Sequence, residues 1–136
     1  FALIRLDPNV KAKAKMCHFG GPTGVNKDST SDAVVLHYYG NGIGIGNLQV
    51  VNQPVLPARS AIAENLEDPD QVFATGAAIF GDSGSGVISD DGRAVGALVA
   101  VGYPGPILIT RLGPQLRRAE KALDIGLTLR RAALNG

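Results

Sequence analysis

Apolar positions recur with a period of two over most of the chain and with a helical period at its end, the pattern of a run of strands followed by one helix. Phe1–Leu6 is apolar apart from Arg5 and reads as a short strand, closed by Asp7-Pro8-Asn9. That tripeptide is turn chemistry, because aspartate bonds to nearby backbone and proline fixes its own dihedral. Val10–Met16 alternates apolar residues with Lys11, Lys13 and Lys15, which puts the lysines on one solvated face of an extended segment. Ala33–Tyr39 is a β-rich run containing His37; Val55–Ile62 is a further strand, broken by Pro57; Gln71–Thr75 leads into a glycine-rich stretch. Val87–Ser89 and Ala94–Val101 flank Asp90-Asp91-Gly92-Arg93, a hairpin turn, and Ile107–Leu112 is the last strand. From Pro114 onward Leu116, Ala119, Leu123, Leu127 and Leu134 recur at helical spacing, and Asn135-Gly136 suits a stop, so a helix is predicted over 114–136.

Composition narrows the class. Over 136 residues, 45% are apolar and 18% charged, enough for one domain with its own core and unlike a disordered chain. Eighteen glycines, few aromatics and no tryptophan favour a turn-rich all-β architecture over a helical bundle. A net charge of +1 gives no concentrated basic face for nucleic acid, and no apolar run approaches the length of a membrane span. The single cysteine, Cys17, excludes an intrachain disulfide and is expected to be buried and structural. Cys17 and His18 are not expected to form a thiol–imidazole pair, since neighbours on a strand point to opposite faces.

The glycines of Gly40-Asn41-Gly42-Ile43-Gly44-Ile45-Gly46-Asn47 invite a nucleotide-loop reading. A dinucleotide fingerprint needs a different glycine spacing and a helix directly after it. Leu48-Gln49-Val50-Val51 is strand-like instead, so a hairpin or barrel corner is expected.

The stretch with chemistry is Ala77-Ala78-Ile79-Phe80-Gly81-Asp82-Ser83-Gly84-Ser85-Gly86. Glycines on both sides of an acid–serine pair let the backbone bend sharply and leave N–H groups unpaired. A serine on such a bend has the layout of an acyl-transfer nucleophile beside an oxyanion hole. The same residues also read as a glycine-rich β-turn with incidental serines.

Gly81-Asp82-Ser83-Gly84 resembles the nucleophile motif of the chymotrypsin/trypsin-like serine proteases. Phe1–Leu6 is similar to the strand that follows the catalytic aspartate in that family, and Ile107–Leu112 to the last strand before its C-terminal helix. Cys17–Val25 is similar to the loop that opens the second barrel of the bacterial members. The resemblance implies a double β-barrel of the chymotrypsin type. The chain would supply the last strand of the first barrel and a linker (1–13), the second barrel (14–113) and the terminal helix (114–136).

By resemblance, Ser83 is the nucleophile, the N–H groups of Gly81 and Ser83 form the oxyanion hole, and Asp82 and Gly84 support the motif. Asp82 is then not catalytic but paired inside the protein with a cationic partner, often the new N-terminus made by activation cleavage. Ala77, Ala78, Ile79, Val99, Ala100 and Val101, with the neighbourhood of Ile107, would line an uncharged specificity pocket. A cationic side chain would be desolvated there without a partner, so cleavage is expected after small or medium apolar residues. Ser85-Gly86 departs from the family's usual glycine–proline.

The family's histidine and aspartate precede the strand resembled by Phe1–Leu6, so Asp7 is read as a turn residue and neither His18 nor His37 as the base. The expected partners are a polypeptide substrate and an N-terminal half carrying the catalytic His and Asp, with no metal, cofactor, nucleic acid or membrane. A secreted or extracytoplasmic location is suggested by the resemblance alone. Two alternatives stand beside this reading: a catalytically inactive protease-like binding module, and a non-protease β domain with an accidental motif.

Overall fold

The computed structural model describes residues 2–27, 34–40, 42, 56–65, 67–101 and 106–135. Seven strands and one helix are defined: β1 (Gly24–Val25), β2 (Val35–Tyr39), β3 (Ala58–Asn65), β4 (Gln71–Gly76), β5 (Gly86–Ser89), β6 (Arg93–Val101), β7 (Ile107–Arg111) and α1 (Leu112–Leu123). The sheet order is β1-β6-β5-β2-β3-β4-β7, and an additional β6–β7 pairing returns the sheet upon itself. The result is a closed barrel of six antiparallel strands, with β1 outside it and parallel to β6. Closure pairs most of the strand edges that an open sheet of this size would expose.

Alternation builds the core. Leu36 and Tyr38 of β2, Ala61 and Ala63 of β3, Val72 and Ala74 of β4, Val87, Leu98, Ile107 and Ile109 all point inward and are buried. Small inward residues on β3 and β4 face larger ones on β2, β6 and β7, as a narrow barrel interior requires. Register shifts between Ala63 and Asn65, Val87 and Ile88, and Leu98 and Ala100 mark bulges where the strands bend to close.

Most of the expected strands are present. The Asp90–Arg93 turn joins β5 to β6, where Asp91 accepts from the Ser89 hydroxyl and the Arg93 amide. The Ser89 hydrogen bond, followed by smaller contributions from Arg93, holds the Asp91 carboxyl below its ordinary pKa. The Gly40–Asn47 corner lies almost wholly outside the described residues.

Three expectations are corrected. Ala2–Leu6 pairs with no strand among the described residues; a strand exists only with a partner, and Leu3, Ile4 and Leu6 stand exposed. Cys17 is exposed, not buried, because residues 17–19 form a turn with His18 at φ 68° in place of a strand. The helix spans Leu112–Leu123, not 114–136: Asp124 adopts a left-handed conformation and its N–H bonds the Glu120 carbonyl, ending the helix there.

Beyond α1 the chain runs back to the barrel. Gly21 donates to the Ala133 carbonyl (2.8 Å), Ala132 to Pro22 (2.8 Å) and Asn135 to Phe19 (2.8 Å), with Gly20 and Leu134 paired as a bridge. The leucine at 134 that seemed to continue the helical period instead packs beside Gly92 and Gly21.

Candidate active site around Asp82 and Ser83

The turn after β4 is built around a carboxylate. Asp82 is 0% exposed, and its side chain accepts from the Gly42 amide (2.8 Å) and the Ile79 amide (2.9 Å) and forms an ion pair with Arg59. Arg59 is itself buried; its Nε donates to the Leu56 carbonyl (2.7 Å) and a terminal nitrogen reaches the Ala77 carbonyl (3.4 Å). A charge moved out of water needs a partner and filled hydrogen-bond positions, and both groups have them. A Cβ at Gly40 would overlap the Asp82 carboxylate, so glycine there is a steric requirement.

Tyr38 lies in the same interior. Burial, opposed in part by the nearby Arg59 charge, raises its pKa to about 12. Its hydroxyl is buried and no partner meets hydrogen-bond geometry, although the Arg59 guanidinium is near.

Anchoring Asp82 fixes the residues around it. Gly81 has φ 96° and Gly84 φ 88°, backbone that residues with a Cβ rarely adopt. Asp82 N–H bonds the Ile79 carbonyl (3.1 Å), and Ser85 N–H bonds the Asp82 carbonyl (3.0 Å). Gly84 donates to Leu98 of β6 (2.7 Å) while Ser85 accepts from it (3.0 Å), stitching the turn to the barrel. Ser83 is left exposed beside the buried aspartate, and the N–H groups of Gly81 and Ser83 bond no acceptor among the described residues.

Next to this turn one edge of β6 is open. β5 begins at Gly86, opposite Ala97, whereas β6 continues to Val101 and pairs with β7 only on its other side. Residues 99–101 therefore run from the Ser83 turn as a strand edge with no strand beside it among the described residues. Val99 is exposed there.

The expected pocket residues are not all on one surface. Ala77 is exposed and Ile79 half-buried, but Ala78 and Ile107 belong to the barrel core. Ala100 and Val101 are placed on β6 by their backbone. A largely apolar cavity of about 460 Å³ lies between β5, β6 and α1, and its lining includes Val99, Gly86, Ala97 and Leu112.

His37 is not at Ser83: one ring nitrogen is 2.8 Å from the Ser60 hydroxyl and the other 2.9 Å from Asp90. His18 sits in the exposed turn with its ring edge-on to Phe19. Asp7 bonds the Asn9 amide (2.9 Å), the turn role expected of it. Among the described residues, no helix is long and apolar enough to cross a membrane, and no group of three His, Cys, Asp or Glu side chains is placed to hold a metal.

Arg59 was the residue that strand reading passed over. Its signal is phase: it shares the inward phase of Ala61 and Ala63, so a cation stands where a core residue is due. Comparison of the chain with protein families, with curated proteins and with solved structures finds no match.

Proposed function

We propose that this chain carries the nucleophile of a serine endopeptidase of the chymotrypsin/trypsin-like class, as its second barrel and terminal helix. The observation that carries this reading is the Asp82–Ser83 turn: a carboxylate with no exposure, fixed by Arg59 and two amides, beside an exposed serine and two N–H groups that bond no acceptor among the described residues. In this role Ser83 attacks the scissile carbonyl, and the Gly81 and Ser83 N–H groups take the charge that develops on its oxygen. Donors fixed in place before the reaction cost no reorganisation during it.

The open edge of β6 at 99–101 supports a peptide substrate, because an extended chain can add to such an edge as a further strand. Ala77, Ile79 and Val99 are uncharged and lie outside the barrel core, in keeping with cleavage after small or medium apolar residues. The base and its orienting acid come from a companion N-terminal half, and the exposed apolar side chains of Leu3, Ile4 and Leu6 are where that half would pair.

A serine-directed phosphonate tests the reading in the complete protein. Covalent labelling of Ser83, located by peptide mass, should be lost in Ser83→Ala, and labelling that never falls on Ser83 would refute it. The engagement of His37 with Ser60 and Asp90 favours one competitor, an inactive protease-like binding module. Absence of any labelling, with the companion half present, would leave that module and a non-protease β domain with an accidental motif.

A further inference from the structure

The outer wall of the barrel brings a serine, a histidine and an aspartate together, away from the Ser83 turn. His37 on β2 and Ser60 on β3 are register partners. The ladder bonds Gly40 N–H to Pro57 and Ala63 N–H to Val34 fall at the alternate pairs, so His37 and Ser60 form a non-hydrogen-bonded pair, in which facing side chains come closest. His37 Nδ1 is 2.8 Å from Ser60 Oγ, and Nε2 is 2.9 Å from Asp90 Oδ1 in the β5–β6 turn. An ionised carboxylate only accepts, so in the neutral ring the proton lies on Nε2, towards Asp90. Nδ1 then carries the lone pair that accepts from the Ser60 hydroxyl. The ring is also held from its flat side by Phe19, with centroids 5.0 Å apart and planes 30° from parallel. Ser60 is exposed, so a substrate can reach it.

We propose that Ser60, His37 and Asp90 form an acyl-transfer site for neutral esters with a short apolar acyl group and an activated leaving group. The site is independent of the reading of Ser83. Its neighbours set the substrate class. Val35 and Ile62, and Tyr39 and Ala58, are the register pairs on either side of His37 and Ser60, and all face the same way. Ile62 and Tyr39 are 46% and 37% exposed, an apolar floor for an acyl or aryl group. Asp90 places negative charge beside the site, which disfavours anionic esters.

In the reaction Ser60 Oγ bonds to the acyl carbon as its proton passes to His37 Nδ1. The carbon–oxygen bond to the leaving group breaks, and that group departs with the electron pair while the proton on His37 passes to it or to water, which frees Nδ1 again. Water then attacks the acyl-serine, His37 takes its proton, and Ser60 Oγ is released protonated with the free acid. Asp90 holds the ring and balances its charge while it is protonated. Ser60 lies within a strand and lacks the glycine turn that frees N–H groups beside Ser83. Without such donors the site is confined to esters whose leaving group departs readily, and amides are not substrates.

The test is reaction of the folded chain with 4-nitrophenyl butyrate, following nitrophenolate release and mapping the acyl group by peptide mass. The butyryl group is expected on Ser60. Ser60→Ala should remove that adduct, and His37→Gln should slow its formation about a hundredfold with the fold intact by circular dichroism. Acylation confined to Cys17, to lysines or to Ser83, no acylation at all, or an unchanged rate in His37→Gln would each overturn the proposal. His37→Gln keeps the test decisive should Ser60→Ala fail to fold.

Discussion

Arg59 meets Asp82 inside the barrel with side-chain exposures of 4% and 0%, so the two charges have only each other and a few backbone groups in place of water. This pair joins β3 to the turn that presents Ser83, and its loss has consequences for both fold and site. Arg59→Met should destabilise by about 3–5 kcal/mol, the usual cost of stranding one member of a buried pair. The paired change Arg59→Met with Asp82→Leu should recover much of that in urea unfolding, while disordering the turn at Gly81–Ser83. A double-mutant cycle with no coupling between 59 and 82 would contradict the pairing.

Glycine substitutions should divide sharply by position. Gly40→Ala pushes a methyl group into the Asp82 carboxylate, and a cost of about 1–3 kcal/mol is expected for such overpacking. Gly24→Ala, on β1, meets nothing within 4 Å and should be neutral or stabilising by up to about 1 kcal/mol. Thermal unfolding of the two variants side by side checks the contrast.

Tyr38 predicts a loss of stability in alkali. Its pKa is 10.0 in a free chain and about 12 in the fold, chiefly because burial resists the charged form. Below pH 10 both states keep the proton, and its contribution is fully present. Between 10 and 12 the unfolded chain releases the proton first, so the folded state binds more protons and stability falls as pH rises, by about 3 kcal/mol at most. In Tyr38→Phe this part of the decline should vanish from urea midpoints measured across that window. At neutral pH the same variant should be as stable as the parent or more so, since the hydroxyl is buried without a hydrogen bond.

Cys17 should react with a disulfide reagent in the native state, to one equivalent and without denaturant, because it sits exposed in a turn. Protection until unfolding would show that the turn at 17–19 packs more tightly than described.

Period-two alternation was sufficient to place β2, β5, β6 and β7 near their observed ranges, since each has one face in a common core. The helix was overextended because Leu127 and Leu134 keep a helical phase by coincidence. What stops α1 is the left-handed Asp124, and what holds Leu134 is a bridge to Gly20, a contact no local pattern can display. The Asp82–Ser83 turn was legible because its residues are contiguous. Its anchor was not: Arg59 lies 23 positions away, and only the barrel's curvature brings it to Asp82. His37, Ser60 and Asp90 were invisible as a set for the same reason, with 23 and 53 positions between the histidine and its two partners.

The hydrogen bonds between residues 19–22 and 132–135 make the intervening chain a closed loop without a covalent link. Loop closure grows only slowly more costly with length, so clasping a segment this long adds little beyond the cost of a short one. A staple at this place restricts how far the barrel strands can separate before the clasp itself opens. Opening should therefore begin at the clasp, and the amides of Gly21 and Ala132 should exchange with solvent together, ahead of those in β2 and β3.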